Sequence, residues 1–145
     1  MPLVVDANVA VALAVDLPYS PMAVNWFGAW LQEPAELYAP LLWEYEVASA
    51  LRRMTTLGLL SAVSAESALG RLLDLPIERV PPEPRTHRAA MQWADRLGHR
   101  VAYDAQYMAL AERLGAEFWT ADRRLANRAW QLDVPWVRWI AGETP

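Results

Sequence analysis

The sequence predicts an α/β fold, a parallel sheet covered by helices on both faces. Two observations carry that prediction. Five short apolar runs alternate with longer amphipathic stretches along the 145 residues, which is the order that parallel strands and crossover helices require. Glycine and proline fall where the helical stretches should end or begin, at Pro18, Gly58, Gly98 and Gly115. No internal repeat, low-complexity tract or long linker divides the chain, so one domain over residues 1–145 is expected.

Residues 2–5, PLVV, form the first strand and end at Asp6. The stretch from Ala7 toward Asp16 is helical and stops before Pro18. Ser20 is an N-cap candidate with Pro21 at the first helical position, opening a helix to about Gln32 with Val24, Phe27 and Leu31 on one face. Glu36 to Ala39 is a second strand. Leu41 to Leu57 is a long helix closed by Gly58, and Ser64 caps a shorter one to Leu73. A third strand covers 75–80, and the proline-rich 81–84 leads into a helix closed by Gly98. Ala102 to Leu114, closed by Gly115, is the next helix. Ala116 to Thr120 is a fourth strand, Asp122 to Gln131 a last helix, and Pro135 to Ile140 a fifth strand.

Composition removes several chemistries. The chain has no cysteine, which rules out disulfides, thiolate metal sites and cysteine nucleophiles. Its 13 basic residues are all arginine, so the lysine of a P-loop and Schiff-base lysines are absent too. With only two histidines, His87 and His99, a multi-histidine metal site is excluded. The formal net charge of −4 does not describe a nucleic-acid coat protein, though a nuclease built around clustered acids remains compatible with it. Asp6 interrupts the apolar opening and no basic segment precedes it, so no leader is expected and the cytoplasm is the expected compartment. The longest uncharged stretch, 17–32, is broken by two prolines and too short to span a membrane.

Four acids stand out by position. Asp6 ends the first strand, Asp122 follows the fourth, Asp104 opens a helix, and Glu46 lies near the start of a helix with few polar positions. Each has an ordinary explanation. Asp6 and Asp122 read as N-caps, and Asp104, Glu44 and Glu46 as negative charge favoured at a helix N-terminus. Taken together they fall at strand ends and first turns, which an open α/β sheet gathers along one edge. Three or four carboxylates without thiol or imidazole neighbours make a hard-oxygen site suited to Mg²⁺ or Mn²⁺. Phosphodiester hydrolysis is the chemistry that fits such a site.

The segments VVDANV (4–9), EVASALRR (46–53), YDAQYMALAERLG (103–115) and FWTADRRL (118–125) resemble the PIN-domain nucleases, and among them the VapC toxins of bacterial toxin–antitoxin pairs. The last pair is the most specific, and together the segments span nearly the whole chain. The resemblance implies an α/β/α sandwich with a five-stranded parallel sheet. It assigns metal binding and catalysis to Asp6, Glu46, Asp104 and Asp122. Glu46 is preferred to Glu44 because the family's glutamate stands five residues before the leucine here at Leu51. Thr120 matches a small hydroxyl residue that would hold a metal-bound water, and Asn8 a small polar position. The resemblance further implies Mg²⁺- or Mn²⁺-dependent cleavage of RNA (a transfer RNA or a ribosomal RNA loop) to a 5′-phosphate and a 3′-hydroxyl. A homodimer and inhibition by a small cognate antitoxin are implied as well.

Arg52, Arg53, Arg123 and Arg124 flank two of these acids and are candidate contacts to RNA phosphate; a solvated helix face explains them equally well. The same holds for Arg85, Arg88, Arg96 and Arg100. The eight tryptophans read as core and interface before base stacking, and Trp26 and Trp30 at i, i+4 form a ridge fit for a partner helix. Four rivals stand beside this reading. A dehalogenase-like phosphatase needs a second acid where Asn8 stands, and it and a receiver domain both need a lysine. A catalytically inactive PIN-like binding module and a housekeeping RNA-processing nuclease share the motifs and remain open.

Overall fold

The structure is a computed structural model and describes residues 1–142. Five parallel strands are β1 (Pro2–Val5), β2 (Glu36–Pro40), β3 (Ile77–Val80), β4 (Glu117–Thr120) and β5 (Val137–Trp139). They pair in the order β3-β2-β1-β4-β5. Seven helices connect them: α1 (Ala7–Ala14), α2 (Ser20–Gln32), α3 (Leu42–Thr56), α4 (Ala62–Leu73), α5 (Pro84–Leu97), α6 (Tyr103–Leu114) and α7 (Arg123–Gln131). From β1 the chain winds outward through β2 to β3. It then crosses to the other side of β1 for β4 and β5. Right-handed crossovers therefore put α1–α4 over one face and α5–α7 over the other, the α/β/α sandwich expected.

This winding places the reversal of strand order between β1 and β4. Asp6 follows β1 and Asp122 follows β4 by two residues, so both lie at the mouth of that switch point. The register fixes them there, with Leu3, Val4 and Val5 opposite Glu117, Phe118 and Trp119. The core on either face is made by Val4, Val5, Val9, Trp43, Val47, Tyr107, Met108 and Phe118, all almost wholly buried. Helix ends follow the glycines. Gly98 and Gly115 cap α5 and α6 at φ +76° and +61°, a backbone that a residue with a Cβ adopts at a cost.

Four local expectations are corrected. Ser61, not Ser64, caps α4, its side chain accepting from the Ser64 backbone N–H. Tyr19 holds the N-cap position of α2 without a side-chain bond, and Ser20 is turned inward to tie the preceding loop. The buried face of α2 is Ala23, Phe27 and Trp30, while Val24 and Leu31 are more than half exposed. Both stripes have helical spacing; burial goes to the one that meets Trp119 of β4. For the same reason the Trp26–Trp30 ridge is partly covered within this chain rather than wholly open to a partner helix. Trp119 of this chain packs on it, with ring centroids at 4.4 Å and 5.3 Å.

Candidate metal and phosphodiester site

Asp6 caps α1 from the end of β1. One carboxylate oxygen accepts weakly from the Asn8 backbone N–H at 3.4 Å, and the other accepts from the Thr120 hydroxyl at 2.8 Å. Thr120, the last residue of β4, is fully buried. Its oxygen also accepts from the Asn8 side-chain amide at 3.3 Å and the Asp122 backbone N–H at 3.0 Å. Asn8 in turn accepts from the Ala121 N–H at 3.0 Å. Asn8 and Thr120 thus lock the β1–α1 corner to the β4–α7 corner. The hydroxyl's one proton and both lone pairs are taken, so Thr120 positions Asp6 and has nothing left to hold a water.

The other two acids come from helices on opposite faces. Glu46 sits in the second turn of α3 and accepts a 2.7 Å hydrogen bond from the Tyr107 hydroxyl. Tyr107 lies on α6, is fully buried, and stacks on Phe118 of β4 with centroids at 5.4 Å. Asp104 stands in the first turn of α6, one turn before Tyr107. Asp122 caps α7, accepting from the Leu125 N–H at 3.1 Å. Asp6 and Asp122 are therefore helix caps and site residues at once, and the two explanations are not exclusive.

All four carboxylates line one cavity of about 190 Å³, together with Asn8, Tyr19 and Arg53. Glu44, the alternative to Glu46, points elsewhere and pairs with Arg79 at 3.2 Å. Of the four candidate arginines only Arg53 reaches the cavity. Arg52 bonds to Thr55 within its own helix, Arg123 lies over the Trp139 ring at 5.1 Å, and Arg124 is exposed. In the second basic stretch Arg85 pairs with Glu83, and Arg96 lies over Trp93 at 4.2 Å.

The electrostatics of the cavity are those of crowded like charges. Burial, then the charge of Glu46, pushes the Asp6 carboxyl from 3.8 up to about 8. Burial also raises Glu46, against the Tyr107 hydrogen bond, which lowers it. Burial raises Asp104, with the nearby His99 lowering it and Asp122 raising it. The Tyr107 hydroxyl is driven well above the usual phenol range, chiefly by burial, and so stays a donor. Among the described residues no group of three or more acids or histidines is drawn together tightly enough to hold an ion as it stands. Mutual repulsion keeps such carboxylates apart, and Mg²⁺ needs only one or two of them at contact distance, with water completing its shell. The donor chemistry fits such an ion. It is all oxygen, and the buried Asp6 has no cationic partner among the described residues.

The sequence pattern of the PIN domain matches residues 3–131. The chain belongs to the PIN-domain family. Within it, the chain is 33% identical over 125 residues to ribonuclease VapC12 of Mycobacterium tuberculosis, covering 86% of this chain and 90% of that one. It is 34% identical over 136 residues to ribonuclease VapC3 of Pyrobaculum aerophilum, covering 93% of this chain and 100% of the relative. The fold of this PIN domain is shared by M. tuberculosis VapC20, described as a sarcin-ricin loop cleaving toxin. That match has a TM-score of 0.64 and 16% identity over 86% of this chain and 93% of VapC20. It is shared also by VapBC-1 of nontypeable Haemophilus influenzae, with a TM-score of 0.63 and 17% identity over 97% of this chain and 99% of that one.

Sequence reasoning missed two residues of this PIN site, Tyr107 and Tyr19. Tyr107 left a trace: it lies three residues after Asp104, on the same face of α6, and a buried hydroxyl in an apolar helix needs a partner. Tyr19 lies in a connection outside every motif and left none.

Proposed function

We propose that this chain is a VapC-type endoribonuclease, a single PIN domain in which Asp6, Glu46, Asp104 and Asp122 hold one or two Mg²⁺ or Mn²⁺ ions. The observation that carries the reading is the meeting of these four carboxylates in one cavity at the switch point of the sheet. A bound divalent ion supplies Lewis acidity, activating a water and stabilising the leaving oxygen at the scissile phosphate. The chain's own residues do the rest. Asp6 is held in place by Thr120, Glu46 is aimed by Tyr107, and Arg53 is the one cavity-lining cation for a substrate phosphate. Water adds to phosphorus, the bond to the 3′-oxygen breaks, and that oxygen takes up a proton. The products are a 5′-phosphate and a 3′-hydroxyl.

The ribonuclease names of the relatives support RNA as substrate, with transfer RNA or a ribosomal RNA loop as its form. The VapBC complexes among the fold neighbours support a cognate antitoxin as partner. A homodimer acting in the cytoplasm completes the reading. No helix among the described residues is long and apolar enough to cross a membrane.

The deciding experiment is cleavage of total RNA by the purified, antitoxin-free protein in Mg²⁺, Mn²⁺ or EDTA, with Asp6→Ala alongside. Discrete metal-dependent fragments, missing from the variant, are the expected result. A folded wild-type protein that cuts no RNA in either metal would replace the enzyme with a non-catalytic binding module.

A further inference from the structure

The cavity has a part of its lining that, Arg53 apart, takes no part in the cleavage chemistry. Val11 of α1, Leu17 and Tyr19 of the α1–α2 connection, and Ala50, Arg53 and Met54 of α3 complete it. The α3 residues follow Glu46 at i+4, i+7 and i+8, one stripe along the helix leading away from the carboxylates. Arg53 therefore stands ~10 Å along the axis from Glu46. It makes no ion pair among the described residues, although it shares a cavity with four acids.

The connection that presents Leu17 and Tyr19 is built to hold still. The Ser20 hydroxyl, almost buried, accepts from the Leu17 N–H at 2.8 Å and donates to the Val15 carbonyl at 2.8 Å. The Ser20 N–H bonds back to the Leu17 carbonyl at 2.9 Å. Pro18 and Pro21 further restrict the backbone. Tyr19 is half-buried against the core, and its hydroxyl bonds to no protein group among the described residues.

We infer that this lining is a nucleotide subsite. Tyr19 stacks on the unpaired base beside the scissile phosphate, Val11, Leu17 and Met54 enclose it, and Arg53 holds the next phosphate. The inference rests on the ribonuclease reading and adds to it how the RNA is chosen. Sequence-specific proteins read RNA mainly at unstacked bases, which they stack on aromatic side chains. The cavity of about 190 Å³ is shared with the four carboxylates, so what reaches its apolar side is a single base turned out of its strand and not a duplex. A fixed aromatic beside an apolar floor selects among such bases by shape.

The test maps the bases around the cut made in a random-sequence single-stranded RNA pool, by the wild type and by Tyr19→Ala and Tyr19→Phe. The wild type is expected to prefer one base at one position beside the cut. Tyr19→Ala should flatten that preference and lower kcat/KM roughly 5- to 150-fold, the range for losing one base–aromatic stack, mainly through KM. Tyr19→Phe keeps the ring and should stay within roughly threefold of wild type, because stacking needs only the π-face. The rise in melting temperature on adding Mn²⁺ should be the same in all three. Wild-type preference and KM in a folded Tyr19→Ala protein would overturn the subsite.

Binding of a fluorescent single-stranded RNA oligonucleotide to Asp104→Asn, with and without Tyr19→Ala, separates this inference from the reading beneath it. If the wild type cuts nothing but the oligonucleotide binds and needs Tyr19, the nuclease falls and the subsite stands. Equal binding with and without Tyr19→Ala removes the subsite whatever the wild type cleaves.

Discussion

The sheet carries a cavity at each end, and the two are built on opposite principles. At the amino ends, where Met1, Ala35 and Glu117 begin or precede strands, a groove of about 620 Å³ is lined by Trp26, Trp30 and Trp119. At the carboxyl ends the smaller cavity is lined by four acids. In the groove the aromatic rings contact one another, each supplying buried area to its neighbour. In the cavity the defining groups repel one another, and Asp6 is buried at a cost. One end therefore stabilises the fold and the other draws on that stability.

The sharpest way to break this division is to alter the acids. Asp104→Asn or Glu46→Gln should lower RNA cleavage by at least ~100-fold, beyond the loss typical of a supporting residue. Thermal stability should hold or rise, because one of several crowded charges is gone; a cleavage assay with a melting curve checks both. Trp119→Ala is the converse. It should lower unfolding stability by ~3–5 kcal/mol, as expected for truncating a buried aromatic. The Mn²⁺-induced rise in melting temperature should survive if the folded protein persists.

A pH series sharpens the comparison further. The Asp6 carboxyl titrates at about 8 in the folded chain, against 3.8 for an ordinary solvated aspartate such as the unfolded chain presents. Between these values the folded protein keeps a proton that the unfolded chain has lost. Stability in EDTA should therefore fall as pH rises through that window, the loss being complete above about 8. Asp6→Asn should flatten the slope. Saturating Mg²⁺ should oppose it, with a melting-temperature gain that grows with pH because protons and metal compete for the same oxygens. The smallest effect belongs to Glu44→Gln. It breaks a pair between half-exposed Glu44 and the largely buried Arg79, which keeps its bonds to the Ile77 and Leu73 carbonyls outside the cavity, so stability should change by about 1 kcal/mol and cleavage not at all. A large loss of cleavage there would reverse the choice of Glu46 over Glu44.

Much of this is legible in the residues. The alternation of apolar runs with glycine-closed helices yields five strands and seven helices in order, because those signals are local. The caps are less secure. Ser61 and Ser64 both precede or open α4 closely enough to cap it, and only the turn's geometry decides between them. The buried stripe of α2 escapes sequence reasoning for a different reason. Val24–Phe27–Leu31 and Ala23–Phe27–Trp30 share helical spacing, and Trp119, far away in sequence, selects the second.

The sequence by itself determined the kind of site, since residue type decides it. Without thiols and lysines, the acids at strand ends and first turns offer oxygen donors alone. Tertiary structure decided which groups meet and how each is held. It turned Thr120 from a water holder into the anchor of Asp6, brought Tyr107 to Glu46, sent Glu44 to Arg79 and set Tyr19 and Arg53 in the cavity wall. Hydrogen bonds between residues 61 or 114 positions apart depend on winding and register. Neither is written in any local stretch of the chain.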